Sequence, residues 1–329
     1  MAKHLFEYRN GDDIELSLLI KSADTRIAKN GKKFISMILQ DTSGHMPAKL
    51  WDASDAAIQQ FKSGEVVHVR GKRELYNDNP QIKLYGLRLA TQEEGNDPKY
   101  FLVGVIVTRN EQPGFEEEEI SSFVFDILNP NWNRIVRKLL ADHHDAFFTY
   151  PAAKSNHHAN GGGLAFHTLS ILRLAKSVGE QYPNLNVSLL YAGAILHDMG
   201  KTIELSGPVS TEYTVTGNLI GHIVLIDEEI IRACIELKID STQEDVVLLR
   251  HMILSHHGLL EYGSPVRPEL PEAQILHDLD ELDASINMMT TAVAHVEPGQ
   301  FSERLFGMDN RRFYHPEGIQ HLSGSPKAK

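Results

Sequence analysis

The stretch "AILHDMGK", residues 194–201, sets His197, Asp198 and Lys201 inside an otherwise apolar run. Burying an unpaired carboxylate is costly, so Asp198 needs a cationic partner. The same oddity recurs in four other apolar segments. His167 sits in "LAFHTLSIL", His222 in "LIGHIVLI", His256 and His257 in "ILSHHG", and Asp280 in "ILHDLDELDAS". Any one of these histidines, taken alone, is ordinarily a hydrogen-bonded core residue. Imidazole and carboxylate together suit a divalent ion such as Mn²⁺, Fe²⁺ or Zn²⁺. No cysteine accompanies them, which argues against a structural zinc of the usual kind. Adjacent helix residues are about 100° apart, so His197 and Asp198 can line one wall of a cavity.

The segments that must deliver these residues read as helices. From residue 131 onward, apolar residues recur at three- and four-residue intervals. The expected helices are "NRIVRKLLADHHDAFFTYP", "GLAFHTLSILRLAKSVGEQYP", "VSLLYAGAILHDMGKTIEL", "NLIGHIVLIDEEIIRACIELKI", "TQEDVVLLRHMILSHHG" and "PEAQILHDLDELDASINMMTTAVAHV". In "SNHHANGGGLAFHTL" no Lys-Ser/Thr follows the glycines, so this is not a P-loop. The glycines instead let the helix carrying His167 begin. His157 and His158 precede it on a loop and are candidates for substrate contact. His251 lies five residues before His256 and points elsewhere on its helix, either to substrate or into packing. Asp283, one turn after Asp280, competes with it as a ligand.

Residues 12–90 have a different pattern. Apolar and polar residues roughly alternate, and Asn-Gly and Ser-Gly mark reversals. "ASDAAIQQF" interrupts them as a short helix with Ser54 as N-cap. Three strands, a helix and two strands is the order of an OB-fold, a five-stranded Greek-key barrel. Such barrels often bind single strands by stacking aromatics and cations along a groove. Candidates here are Lys32, Lys33, Phe34, Trp51, Lys72, Arg73 and Tyr76, with Lys83 and Tyr85 on the last strand. The expected organisation is a multidomain α and β chain: an N-terminal OB-fold β-barrel at 1–95, a linker at 96–130, an all-α domain at 131–315 and a tail at 316–329. "GMDNRRFYHPEGIQHLSGSPKAK", at the end, reads as loop.

Charge and composition bound the partners. The net charge is −12, which disfavours a broad nucleic-acid-binding surface. The balance is uneven: 15 Lys and Arg face 14 Asp and Glu over residues 1–100, and 17 face 30 over the rest. Fourteen of the 17 histidines fall in the acidic part. No run of 18 apolar residues exists, so no membrane span or membrane partner is expected. The start "MAKHLFEYRNGDD" has no apolar h-region. The lone Cys234 lies in the apolar run "IIRACIELKID", as core filling in a reducing cytoplasm.

The set H…HD…D in these helical contexts resembles the HD phosphohydrolase superfamily. The resemblance implies that His167, His197, Asp198 and Asp280 hold a divalent metal. Asp280 is favoured over Asp283 because the "hxxDxL" run aligns there. It also implies that His222, His256 and His257 add ligands for a second ion, with Asp198 bridging both. Two such ions can polarise a phosphate ester and activate water. Gly200 and Lys201 fit the same pattern, and the Lys201 ammonium would bind the substrate phosphate.

With the barrel in front, "HHANGGGLAFHTLS" and "LLRHMILSHHGLLEYGSP" resemble the YhaM-type 3′→5′ exoribonuclease family over about residues 12–315. The implied activity is hydrolysis of single-stranded RNA, and also DNA, from the 3′ end. The implied cofactor is Mn²⁺ at one or two ions per chain, with Co²⁺, Fe²⁺ or Zn²⁺ as alternatives, and Asp198 and Lys201 are the catalytic pair. The residues themselves leave two other readings open: an HD-type nucleotide or cyclic-dinucleotide phosphohydrolase, and a non-catalytic single-stranded-DNA-binding or replication-associated protein.

Overall fold

In the computed structural model, the alternation over residues 13–89 becomes five strands. These are β1 (Asp13–Ile27), β2 (Lys33–Asp41), β3 (Gly44–Leu50), β4 (Val66–Tyr76) and β5 (Asn79–Leu89). They close a barrel in the order β1-β2-β3-β5-β4, all pairs antiparallel except β3 with β5. One long strand closes it. The first half of β1 pairs with β4, its second half with β2, and the register shifts between Ile20 and Ser22. A bulge of this kind bends a strand and lets it serve two neighbours. Inward-facing Ile14, Leu18, Ile35, Met37, Leu39, Val67, Val69 and Ile82 fill the interior. Each buried side chain of this size contributes about 1.5–3 kcal/mol. Helix α1 (Asp55–Gln60) lies between β3 and β4, with Ser54 Oγ accepting from the Ala57 amide as the expected cap. The expected OB-fold barrel is present.

The structure describes residues 3–76, 79–101, 115–153, 161–209, 211–294 and 296–317. The chain divides into two compact units, residues 1–106 with 208–211, and residues 107–207 with 212–329. The second unit is helical: α2 (Phe115–Phe125), α3 (Pro130–Asp142), α4 (His144–Thr149), α5 (Gly163–Gln181), α6 (Val187–Leu196), α7 (Lys201–Glu204), α8 (Val215–Ile220), α9 (His222–Leu237), α10 (Glu244–Ser255) and α11 (Pro271–Ala294). Every residue of α6 from Leu189 to Leu196 is buried. A helix apolar on all sides must be surrounded, and α6 packs against α3, α5, α10 and α11. The HD pair follows directly on its C-terminus, so it is delivered to the middle of the unit. Within the stretch 96–130, read above as a linker, α2 places Ile120, Phe123 and Val124 in this helical core.

Three expected helices are broken. The run from Asn133 is interrupted at His143, between α3 and α4. The run carrying the HD pair stops at Leu196, and a turn precedes α7. The run carrying His222 breaks at Gly221, whose φ of +81° is the left-handed region, so His222 opens α9 rather than sitting inside a helix. Part of the segment expected as terminal loop is also ordered. Phe301 bridges Tyr314 and Leu305 bridges Arg311, with Ser302 and Met308 buried between them.

Candidate metal centre

Asp198 is the hub. Its Oδ2 lies 3.4 Å from His197 Nε2 and 3.6 Å from His167 Nε2, and its Oδ1 lies 3.4 Å from His222 Nε2 and 3.9 Å from His256 Nε2. Four imidazoles from four segments thus surround one carboxylate, two on each oxygen. His257 joins the Oδ1 side, with its ring 4.4 Å from that of His256 and 5.1 Å from that of His222. Asp280 joins the other side, with Oδ1 3.0 Å from His167 Nε2. All seven expected ligands are therefore gathered, from residues as far apart in the chain as 167 and 280.

The ring orientations are set from behind. His167 Nδ1 donates to Asp283 Oδ2 at 2.7 Å, His197 Nδ1 to the Ala194 carbonyl at 2.8 Å, and His222 Nδ1 to Glu204 Oε1 at 3.1 Å. His256 Nδ1 donates to the Ile253 carbonyl at 2.7 Å, and His257 Nδ1 to the Tyr262 carbonyl at 2.7 Å. Every partner is an acceptor, so each Nδ1 carries a proton and the opposite Nε2 offers its lone pair to the centre. At His197, His222 and His256 that Nε2 is buried without a hydrogen-bond partner, and so is Asp198 Oδ1. Buried polar atoms are rarely left this way. Four orphaned atoms converging on one place, with His167 beside them, fit a divalent ion held by nitrogen and oxygen donors. The donors fall into two groups, His167, His197 and Asp198, and His222, His256 and His257, with ligand atoms within 4.8 Å of one another in each.

The electrostatics favour positive charge. Burial alone would lower the pKa of His167, yet Asp280, Asp283 and Asp198 push it up to about 10, so before an ion binds its Nε2 carries a second proton, which the ion would displace. Burial would raise that of Asp198, but Lys201, His197 and His222 hold it well below the usual carboxylate range. On the other side, burial keeps His256 well below the ordinary imidazole value, helped by His257 and His197, which leaves it neutral as a ligand must be. Lys201 Nζ sits 2.6 Å from Asp198 Oδ2, i,i+3 across the turn rather than on a helix face shared with His197. Burial acts to lower its pKa and Asp198 raises it, so the ammonium stays charged beside the hub.

Sequence reasoning missed Glu204. It is buried, and its Oε1 accepts from both the backbone amide and Nδ1 of His222, so one carboxylate starts α9 and aims its first side chain. An acid in the apolar run "KTIEL" was the available signal. Two close approaches keep the turns in place. A Cβ on Gly200 would meet the His222 carbonyl at 2.2 Å, and one on Gly258 would meet His277 Nε2 at 2.4 Å. His277 Nδ1 in turn donates to the His256 carbonyl at 3.0 Å.

The remaining candidates divide. His157 and His158 lie outside the described residues. His251 does not reach the centre: its Nε2 accepts from the Glu269 amide at 2.9 Å, which makes it a packing residue. On the barrel, Phe34 stacks on Trp51 with centroids 4.6 Å apart, and Trp51 is 57% exposed, so the pair is a surface feature. Lys49, which sequence reasoning passed over, lies over both Trp51 (5.7 Å) and Tyr76 (5.2 Å). Lys32 and Lys33 are ion-paired with Asp52 and Asp55, and Lys72 lies opposite Lys83 in the β4–β5 register. Arg73 is engaged elsewhere. Its guanidinium donates to the Tyr8 carbonyl and packs on the Phe6 ring, tying down the N-terminal segment rather than joining the aromatic face.

Residues 164–285 match the HD domain family, and residues 19–90 match the OB-fold nucleic acid binding domain family. Proteins named 3′-5′ exoribonuclease YhaM from Listeria innocua and Listeria monocytogenes are each 47% identical over 316 residues, which covers 96% of this chain and 99% of theirs. Among solved structures, the second OB-fold domain of replication protein A from Methanococcus maripaludis covers 27% of this chain and 94% of its own, at 19% identity and a TM-score of 0.22.

Proposed function

The chain belongs to the 3′-5′ exoribonuclease YhaM family, and from that membership we infer that it is a metal-dependent hydrolase of single-stranded RNA, and of single-stranded DNA, working from the 3′ end. The observation that carries the metal dependence is the convergence of three orphaned Nε2 atoms, and that of His167, on Asp198. His167, His197, Asp198 and Asp280 would hold one ion, and His222, His256 and His257 with Asp198 a second. Mn²⁺ is the ion proposed from the family resemblance, and imidazole and carboxylate without thiolate also suit Fe²⁺ or Zn²⁺. Bound there, such ions supply Lewis acidity to the phosphodiester and lower the pKa of water.

The chain's own residues do the rest. Lys201 keeps a positive charge 2.6 Å from Asp198 Oδ2, at hand for a phosphate oxygen as negative charge builds on it. Asp198 is hydrogen-bonded to that ammonium and fixed between the two histidine groups, so it orients both. On the barrel, Phe34, Trp51, Lys49 and Tyr76 offer rings and a cation to successive bases and phosphates of a single strand. The lone Cys234 is buried and free, as suits a protein working in the reducing cytoplasm.

A 5′-labelled single-stranded RNA incubated with the protein and Mn²⁺ tests this. The expected result is a ladder shortening from the 3′ end, abolished by EDTA and by Asp198→Asn. Activity that survives chelation, or that is confined to mononucleotides, would overturn it.

A further inference from the structure

The loop after the His256–His257 pair is built as part of the centre. Tyr262 gives its carbonyl to His257 Nδ1 at 2.7 Å and its amide to the Leu259 carbonyl, and the left-handed Gly258 and Gly263 bracket the turn. Tyr262 is therefore tied by its backbone to a residue of the hub, yet it is 65% exposed. Leu260 beside it is also exposed. Next to His222, whose ring lies 5.1 Å from that of His257, the end of α8 exposes Leu219 (80%) and Ile220. Two exposed apolar segments thus adjoin His257 and His222, two neighbouring rings of a buried, highly polar centre. Exposed large apolar groups rimmed by polar ones mark a binding surface.

An exonuclease that holds the scissile phosphate at the centre must place the terminal nucleoside immediately beside it. A nucleobase has two apolar faces, and an aromatic ring is its sequence-tolerant partner. We propose that Tyr262, with Leu260, Leu219 and Ile220, forms the stacking platform for the base of the 3′-terminal nucleotide. This rests on the exoribonuclease reading above and adds where the end of the strand is gripped. The platform takes any base, because it is apolar, but only an unpaired one, because a base inside a duplex cannot leave its neighbours to stack on protein. The backbone bond from Tyr262 to His257 then couples the grip on the end to the ligand geometry, while the ring itself is dispensable for folding.

The test uses the full chain with Mn²⁺ and two single-stranded RNAs, identical except that one has an abasic 3′-terminal nucleotide. Wild type is expected to lose about tenfold in kcat/KM on the abasic end, within the range of single base–aromatic stacks. Tyr262→Ala is expected to lose about tenfold on the normal end, mainly in KM, and to treat both RNAs alike. Tyr262→Phe is expected to behave as wild type. Metal content and thermal midpoint of all three are expected to match. Equal rates of wild type on both ends would overturn the platform. So would a Tyr262→Ala loss that is the same on both RNAs relative to wild type, or unaltered Tyr262→Ala kinetics accompanied by a changed oligomeric state, which would make the patch an interface with a second copy. A wild type that shortens neither RNA would instead overturn the exoribonuclease reading.

Discussion

Asp283 accepts a 2.7 Å hydrogen bond from Nδ1 of His167, on the far edge of the ring from the Nε2 that faces Asp198 and Asp280. The two acids one turn apart on α11 therefore stand on opposite sides of one imidazole. This geometry separates the two residues that sequence alone left competing.

The consequence is a difference in kind between two similar variants. Asp280→Asn removes a charge from the side of the ring that faces the hub. It is expected to abolish nuclease activity at any Mn²⁺ concentration. Asp283→Asn leaves the ligands but loosens the ring. Loss of such an outer partner typically weakens metal affinity by about 10–100-fold, so activity is expected to return at high Mn²⁺. Activity measured across a Mn²⁺ titration checks both.

Glu204 plays the equivalent part on the other side. Its carboxylate fixes the His222 tautomer and caps the first amide of α9. Glu204→Gln keeps the size but weakens both bonds. The expected result is about 10–100-fold weaker binding at the His222–His256–His257 group, with the His167–His197 group unaffected. Isothermal titration with Mn²⁺ would resolve this as one weakened class of sites beside one unchanged class.

The architecture was largely legible, and the site partly so. Strand alternation with Asn-Gly and Ser-Gly reversals announced the barrel, and the recurrent ligand in an apolar run announced the seven residues now found together. What sequence could not supply was where the helices break. His197, Asp198, His222, His256 and His257 all sit at helix ends. Gly221 and Gly258 make those ends possible, through backbone angles that periodicity does not register. Glu204 was missed and Asp283 left undecided for a related reason. Residues that act from behind a ligand have no spacing of their own, only a partner in space. Arg73 differs from Lys49 in its partners, the Tyr8 carbonyl and the Phe6 ring, which its place next to an aromatic in the sequence does not announce.

Gly258 lends itself to a stability test. Its φ is +75°, and a Cβ there would lie 2.4 Å from His277 Nε2. A non-glycine residue in this region costs about 1–3 kcal/mol, before the clash. Gly258→Ala is expected to lower stability by about 2 kcal/mol or more and to displace His277, which holds the His256 carbonyl. Urea unfolding should report the first effect, and a lower kcat the second.

The barrel's two kinds of cation predict different phenotypes. Trp51→Ala removes an exposed ring from the stacked pair, at a cost of about 1–3 kcal/mol in RNA binding, with the unfolding midpoint unchanged. Lys49→Ala should reduce the salt dependence of binding by about one contact. Arg73→Ala should instead lower stability, because it frees the Tyr8 carbonyl and the Phe6 ring, and leave RNA affinity nearly unchanged. Filter binding across a salt series, beside thermal melts, distinguishes the three.

His251 provides a pH-dependent link between α10 and the segment leading into α11. Burial holds its pKa below the ordinary 6.5, against the opposing pull of Glu269, and its neutral Nε2 accepts the Glu269 amide. The unfolded chain takes up this proton more readily than the folded one, so acid favours unfolding. The stabilisation is complete above about pH 6.5 and is lost as pH falls from there through the lower folded value. Wild type should therefore lose more stability between pH 8 and pH 5.5 than His251→Gln, which cannot titrate. Urea midpoints of the two proteins at both pH values check this. A pH-dependent loss equal in both would show that protonation of His251 does not break the contact with Glu269.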